Sequence, residues 1–208
     1  AMLFDAMGLD ENAVLVVHAG SAYRDPDASR ERFVHNYQRL SQRARARLVL
    51  EHDDRHFDLA DALWIHRRTG VPVVFDALHH RVLTRGAWPM MDALSAALAT
   101  WPPGRKPKIH FSSPRTAVRQ VQRNGALHLQ MPLPNQHSDF LNPFEFIDFV
   151  RGARGSGLPA FDIMLEAKAK ELALLRLREQ VKKYAPDISE FVGCRSQADA
   201  CQGGFNGN

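Results

Sequence analysis

The 208-residue chain has little cysteine, only Cys194 and Cys201. Two thiols exclude a disulfide-dense secreted scaffold. Their spacing matches no zinc knuckle, so they read as incidental thiols of the tail. No run approaches the roughly 20 apolar residues of a membrane span, and no signal peptide is visible. The expectation is a cytoplasmic protein without a membrane partner. An excess of charge of one sign is also missing: 27 Lys+Arg stand against 23 Asp+Glu, a net +4. That balance permits a nucleic-acid partner without demanding one. A P-loop, a Ser-His-Asp elbow and a CxxC pair are all absent, so those chemistries have no support.

What is present is a pattern repeated five times: a short apolar, β-branched run that ends on a polar residue, then a helical stretch. The runs are Val14–Val17 ending at His18, Arg47–Leu50 ending at Glu51, Val71–Phe75 ending at Asp76, Pro107–Phe111, and Ala160–Leu165 ending at Glu166. Helices are expected from Pro26, with Phe33, Tyr37 and Leu40 on one face, and around Leu59–Trp64, stopping at Thr69-Gly70. Others are expected from Pro89 to Thr100 and through Leu172, Leu175 and Val181. Short runs buried on both faces, alternating with helices, indicate parallel strands. The class is therefore α/β, either a doubly wound open sheet or a TIM (β/α)8-type barrel. The turn after the first run, His18-Ala19-Gly20-Ser21-Ala22, holds one glycine, which disfavours a dinucleotide-binding sheet and a nucleotide cofactor. The chain opens on Met2–Leu9, which reads as the last turns of an apolar-faced helix closed by Gly8. Five units and an orphan helix end fit the C-terminal part of a barrel. Residues 1–185 are taken as that partial catalytic barrel and residues 186–208 as a flexible tail. Ser112–Asn142 is long for a βα loop. It carries Arg115, Arg119 and Arg123, and its start is expected to form a short basic helix.

The chemistry lies in what ends each strand: His18, Glu51, Asp76 with His79, His110, and Glu166. Strand ends of a parallel barrel converge on one face. A His/Asp/Glu set without cysteine suits manganese, zinc, iron or magnesium. Six or more ligands exceed the need of one ion and point to a multi-metal site for phosphodiester cleavage. His80 is expected to be structural. His137, past the long loop, returns towards the same end. Arg24, Arg81, Arg85, Arg115 and Arg119 follow strand ends and are candidates for holding DNA phosphates.

Five segments, in this order, resemble the UV damage endonucleases: Leu50-Glu51-His52-Asp53-Asp54, Val74–His80, Lys106–Ser113, His137-Ser138-Asp139-Phe140 and Asp162–Lys170. The resemblance runs from about Leu3 to Glu179. It implies a TIM-type barrel and a cluster of divalent ions, manganese first, with magnesium, zinc or cobalt as alternatives. It implies double-stranded, UV-damaged DNA as substrate, cut 5′ to the photoproduct in alternative excision repair. His18, Glu51, Asp76, His79, His110, His137 and Glu166 would then be metal ligands. Glu51, Glu166 and Lys108 would be catalytic, Lys108 matching a lysine near the cluster. Two departures stand out. His52 replaces the usual Asn, and the strands that precede this region in the family, with further histidines and damage-probing residues, are absent. The competing readings are a metal-dependent sugar isomerase or epimerase barrel, and a partial barrel that binds metal or DNA without cutting. Oligomerisation through an open barrel edge is a further expectation.

Overall fold

The computed structural model describes residues 1–83 and 88–193. The elements in chain order are α1 (Met2–Ala6), β1 (Leu15–His18), α2 (Pro26–Gln38), α3 (Gln42–Arg47), β2 (Leu48–Glu51), α4 (Leu59–Thr69), β3 (Val73–Asp76), α5 (Ala77–Leu83) and α6 (Met90–Leu98). They continue with β4 (Lys108–Phe111), β5 (Arg119–Arg123), β6 (Ala126–Gln130), α7 (Pro143–Gly155), β7 (Asp162–Leu165), α8 (Glu171–Tyr184) and α9 (Pro186–Ser189).

Five strands form one parallel sheet in the order β1-β2-β3-β4-β7. The order never reverses. Right-handed crossovers taken in one direction place every helix on the same side of the sheet, which is how a barrel is wound. A doubly wound sheet would reverse and carry helices on both faces. The fold is thus α/β, with five successive units of the barrel type.

Side chains on a strand alternate between faces, and here the alternation divides structure from chemistry. Leu50, Val73, Phe75, Ile109 and Phe111 face the helices and form the main core with Ile65, Leu94, Ala97, Phe146 and Phe149. Phe111 meets Phe146 edge-on, with ring centroids 5.3 Å apart. The opposite face starts apolar and ends polar. Val16, Val49 and Val74 pack around Trp101 at the amino-terminal end. Glu51, Asp76 and His110 stand one pleat further on, and the pairs His18↔Glu51 and Asp76↔His110 share register.

Local signals account for the helix ends. Asp58 caps α4 in a capping box with Asp61, and Gly70 closes it at φ 74°. Asn142 caps α7 ahead of Pro143. Three expectations are corrected. Leu40 lies beyond the end of α2. The apolar side chains of α1 are exposed (Met2, Leu3, Met7), and the helix is held by its Asp5 to the Arg47 guanidinium at 2.6 Å. Helix α8 runs through Leu172, Leu175 and Val181 as expected, and its buried residues are Ala173, Leu177 and Val181. The expected basic helix after Ser112 is an antiparallel hairpin, β5–β6. Its tip, Asn124-Gly125, has φ of 50° and 77°, and positive φ at both central residues is what a type I′ turn requires. The turn thus outweighs the helix-like spacing of Arg115, Arg119 and Arg123. Beyond α8, Ile188 of α9 is fully buried in the main core. Arg85, Cys194, Cys201 and the rest of the expected tail beyond Gly193 lie outside the described residues.

Candidate metal centre

Each strand delivers its polar residue by running out of ladder. Glu51 and Asp76 are the last residues of β2 and β3, and His110 is the penultimate residue of β4. Glu166 directly follows β7, its N–H held by the Phe111 carbonyl at 3.0 Å. Helix α5 starts directly after Asp76, and the His79 N–H donates to Asp76 Oδ1 at 2.7 Å. One turn of helix therefore places His79 over the carboxylate that caps it. His137 arrives from the return arm of the hairpin. That arm is stitched to the end of β4 by a bridge between Pro114 and His137 and by the Ser138 N–H donating to the Ser113 carbonyl.

The seven side chains expected as ligands form one connected cluster. Glu51 Oε1 lies 3.0 Å from His110 Nδ1 and 3.2 Å from His79 Nδ1. Glu51 Oε2 lies 3.6 Å from His18 Nε2. His110 Nδ1 is also 3.3 Å from Glu166 Oε1 and 4.0 Å from Asp76 Oδ2. Glu166 Oε2 is 3.6 Å from His137 Nδ1. Two sets bring ligand atoms within 4.8 Å of one another, Glu51–Asp76–His79 and Asp76–His110–Glu166. Asp76 belongs to both.

The cluster fits cations. Asp76 is fully buried, yet its Oδ2 accepts no hydrogen bond. A buried carboxylate oxygen without a donor is costly unless a cation satisfies it. His18 Nδ1 lies 3.3 Å from the Glu51 carbonyl, which leaves Nε2 facing the cluster, the arrangement that orients a ligating imidazole. The electrostatics agree. Burial alone would raise the Glu51 carboxyl, but hydrogen bonds from His110 and His79 outweigh it and hold the group far below the usual carboxylate range. Burial would lower His79, but Glu51 and Asp76 override it and push the imidazole up to about 9. His110 is raised for the same reasons, against its burial. A field that holds protons on two buried histidines also attracts divalent ions, which compete for the same atoms.

Other expected residues stand apart from the cluster. Lys108 lies on the same face one pleat below His110, and its Nζ bonds Asp162 at 2.5 Å, with Lys106 on the other oxygen. Arg24 is exposed in the turn before α2. Arg81 lies 3.7 Å from Glu145. Arg115 and Arg119 belong to the hairpin segment. His80 is buried, with Nε2 at 3.0 Å from the Trp88 carbonyl.

His52 has a part that its sequence position did not reveal. It is buried, and its Nε2 accepts the Asp76 N–H at 3.0 Å, while its carbonyl lies 3.0 Å from His79 Nδ1. Burial, then the neighbouring His79, pushes it down to about 3, so it is neutral. Accepting at Nε2 places its proton on Nδ1. Sequence reasoning also missed Asp162 as the partner of Lys108, which stands opposite it in the register of β4 and β7.

A parallel, singly wound sheet with histidines and carboxylates converging at its carboxyl end defines an α/β metal-site protein. Comparison narrows the class. The family model described as UV-endonuclease UvdE matches residues 1–195. A UV DNA damage endonuclease of Bacillus pumilus (strain SAFR-032) is 32% identical over 180 residues, which is 86% of this chain and 52% of that protein. One of Bacillus cereus (strain G9842) is 29% identical over the same coverage. The solved structure titled Crystal Structure of SacUVDE superposes with a TM-score of 0.68 and 34% identity, covering 87% of this chain and 54% of that one. The chain belongs to the UV-endonuclease UvdE family. It spans about half the length of the relatives it matches.

Proposed function

We propose that the chain carries the catalytic metal centre of a UV damage endonuclease, hydrolysing the DNA phosphodiester 5′ to a UV photoproduct. The observation that supports this best is the single cluster linking His18, Glu51, Asp76, His79, His110, His137 and Glu166, in a chain of this family. Asp76 and Glu51, the most buried carboxylates, would hold divalent ions, manganese first as the family resemblance implies. Bound ions at such a site supply Lewis acidity to a phosphate and an activated water. Glu166, at the mouth and about one-third exposed, would hold an ion or take up a proton at its carboxylate, with His137 Nδ1 3.6 Å from its Oε2. His52 fixes the Asp76 backbone and stays neutral. Lys108, held by Asp162, contributes positive charge below the cluster. An open cleft of about 580 Å³, lined by Asn135, His137, Glu166, Lys168 and Lys170, gives a phosphate access to the mouth. Among the described residues no helix is long and apolar enough to cross a membrane.

The test is nicking of UV-irradiated supercoiled plasmid with Mn²⁺, beside unirradiated plasmid. Nicking only of irradiated DNA, lost in Glu166→Gln, is the expected result. A folded, metal-loaded chain that leaves irradiated plasmid intact overturns the catalytic reading for residues 1–208.

A further inference from the structure

Among the described residues the β5–β6 hairpin is the most exposed regular element, and its two faces differ sharply. Register and alternation put Arg119, Val121, Arg123, Ala126, His128 and Gln130 on one face. The other carries Gln120 opposite Leu129 and Gln122 opposite Leu127. Leu127 is 66% exposed, Leu129 71%, and Met131, just past β6, 67%. An isolated two-stranded hairpin gains nothing from leucines held out in water. Their placement calls for a covering surface.

Charge decides what covers it. From Ser112 to Ser138 there are three arginines and no carboxylate. A second copy of this chain, itself net positive at +4, would bring like charge to the face. A polyanion would not. Position agrees: the hairpin springs from the strand ends at the metal centre, and its return arm supplies His137. It is anchored there by the Arg115 N–H to the Gln136 carbonyl and by Asn135 to Asp54. The dimensions agree as well. A two-stranded ribbon fits the DNA major groove, where amides read base edges and apolar side chains meet thymine methyl groups. Arg119 and Arg123, four residues apart on a strand, are separated by roughly 14 Å.

We propose that β5–β6 is a duplex-binding ribbon that lies in the major groove beside the cut site. Its Gln120, Gln122, Leu127 and Leu129 face the base edges, and Arg119 and Arg123, on the outer face, lie towards the phosphates at the rim of a groove about 8.5 Å deep. The inference rests on the endonuclease reading above and adds the element that grips the duplex.

The experiment measures binding of the full chain to UV-irradiated and intact duplex oligonucleotides across a salt series. Arg119→Ala/Arg123→Ala is expected to weaken binding about tenfold and to reduce the slope of log affinity against log salt by roughly 1.8, two phosphate contacts. Leu127→Ser/Leu129→Ser is expected to weaken binding by a similar factor with the slope unchanged, because no phosphate contact is lost. Mn²⁺ titration of both variants should match the wild type, which shows that the metal centre is intact. Wild-type nicking with unchanged affinity and slope in both variants overturns the ribbon and leaves the endonuclease reading standing. A wild-type chain that binds no duplex overturns both. Dimers of the wild type that dissociate in Leu127→Ser/Leu129→Ser, with DNA affinity unaltered, would assign the face to a second copy and overturn the proposal.

Discussion

Glu51→Gln tests the electrostatics of the centre in the protein stripped of metal by a chelator. In the wild type, His79 is held at about 9 against an ordinary 6.5, mainly by Glu51 and Asp76 working against burial. A histidine raised on folding stabilises the native state fully below 6.5, and the contribution fades as pH climbs through about 9. With these values it falls from about 3 kcal/mol at pH 6 to a few tenths at pH 9. His110 adds in the same sense. Replacing Glu51 removes the closest charge from both imidazoles and leaves only Asp76, with Glu166 beside His110, to oppose burial, so the variant's stability should vary less over that window. His52 works in the opposite direction: its contribution, set by a value of about 3, is present above 6.5 and lost as pH falls. It is common to both proteins and cancels in the difference. Urea denaturation at intervals between pH 6 and 9 measures the effect. Parallel stability curves for wild type and Glu51→Gln would refute the argument.

Two further outcomes follow from the same geometry. Asp76→Asn removes the carboxylate shared by both ligand sets and should weaken Mn²⁺ binding in calorimetry by at least about tenfold; a dissociation constant within twofold of wild type would exclude Asp76 as a ligand. Phe111→Ala opens a hole between the sheet and α7, where Phe146 and Phe149 close on the ring, and should cost about 3–5 kcal/mol in chemical denaturation, with metal affinity retained.

The strands and their polar ends were legible in the sequence because burial on both faces leaves a compact signal: an apolar run cut off by a single ionisable residue. His18, Glu51, Asp76, His110 and Glu166 stand where that signal stops. Helix α5 was not legible, since Ala77–Leu83 is short and carries two histidines in a buried setting. The hairpin was misread because arginines four residues apart imitate a helix face, although Asn124-Gly125 between Gln-Val-Gln and Leu-His-Leu held the correct signal. Pairwise contacts were invisible for a different reason. Which backbone N–H the His52 ring accepts, or which carboxylate holds Lys108, depends on register between strands, and a linear sequence leaves register open.

The uninterrupted strand order has a consequence for how this family can vary. The parallel ladder leaves β4 at Phe111 and resumes at β7 with Asp162, and the stretch between β4 and the start of α7, which returns to the core, hangs from the carboxyl end of the sheet. Lengthening or trimming that excursion changes only loop-closure entropy, about 0.6 kcal/mol for each doubling of its length. A grafted or deleted ribbon at this point would leave the ladder and the core beneath it unaltered. The architecture thus separates the ladder and its metal-binding ends from an exchangeable attachment, and new substrate preferences can be sampled at the rim with little risk to folding.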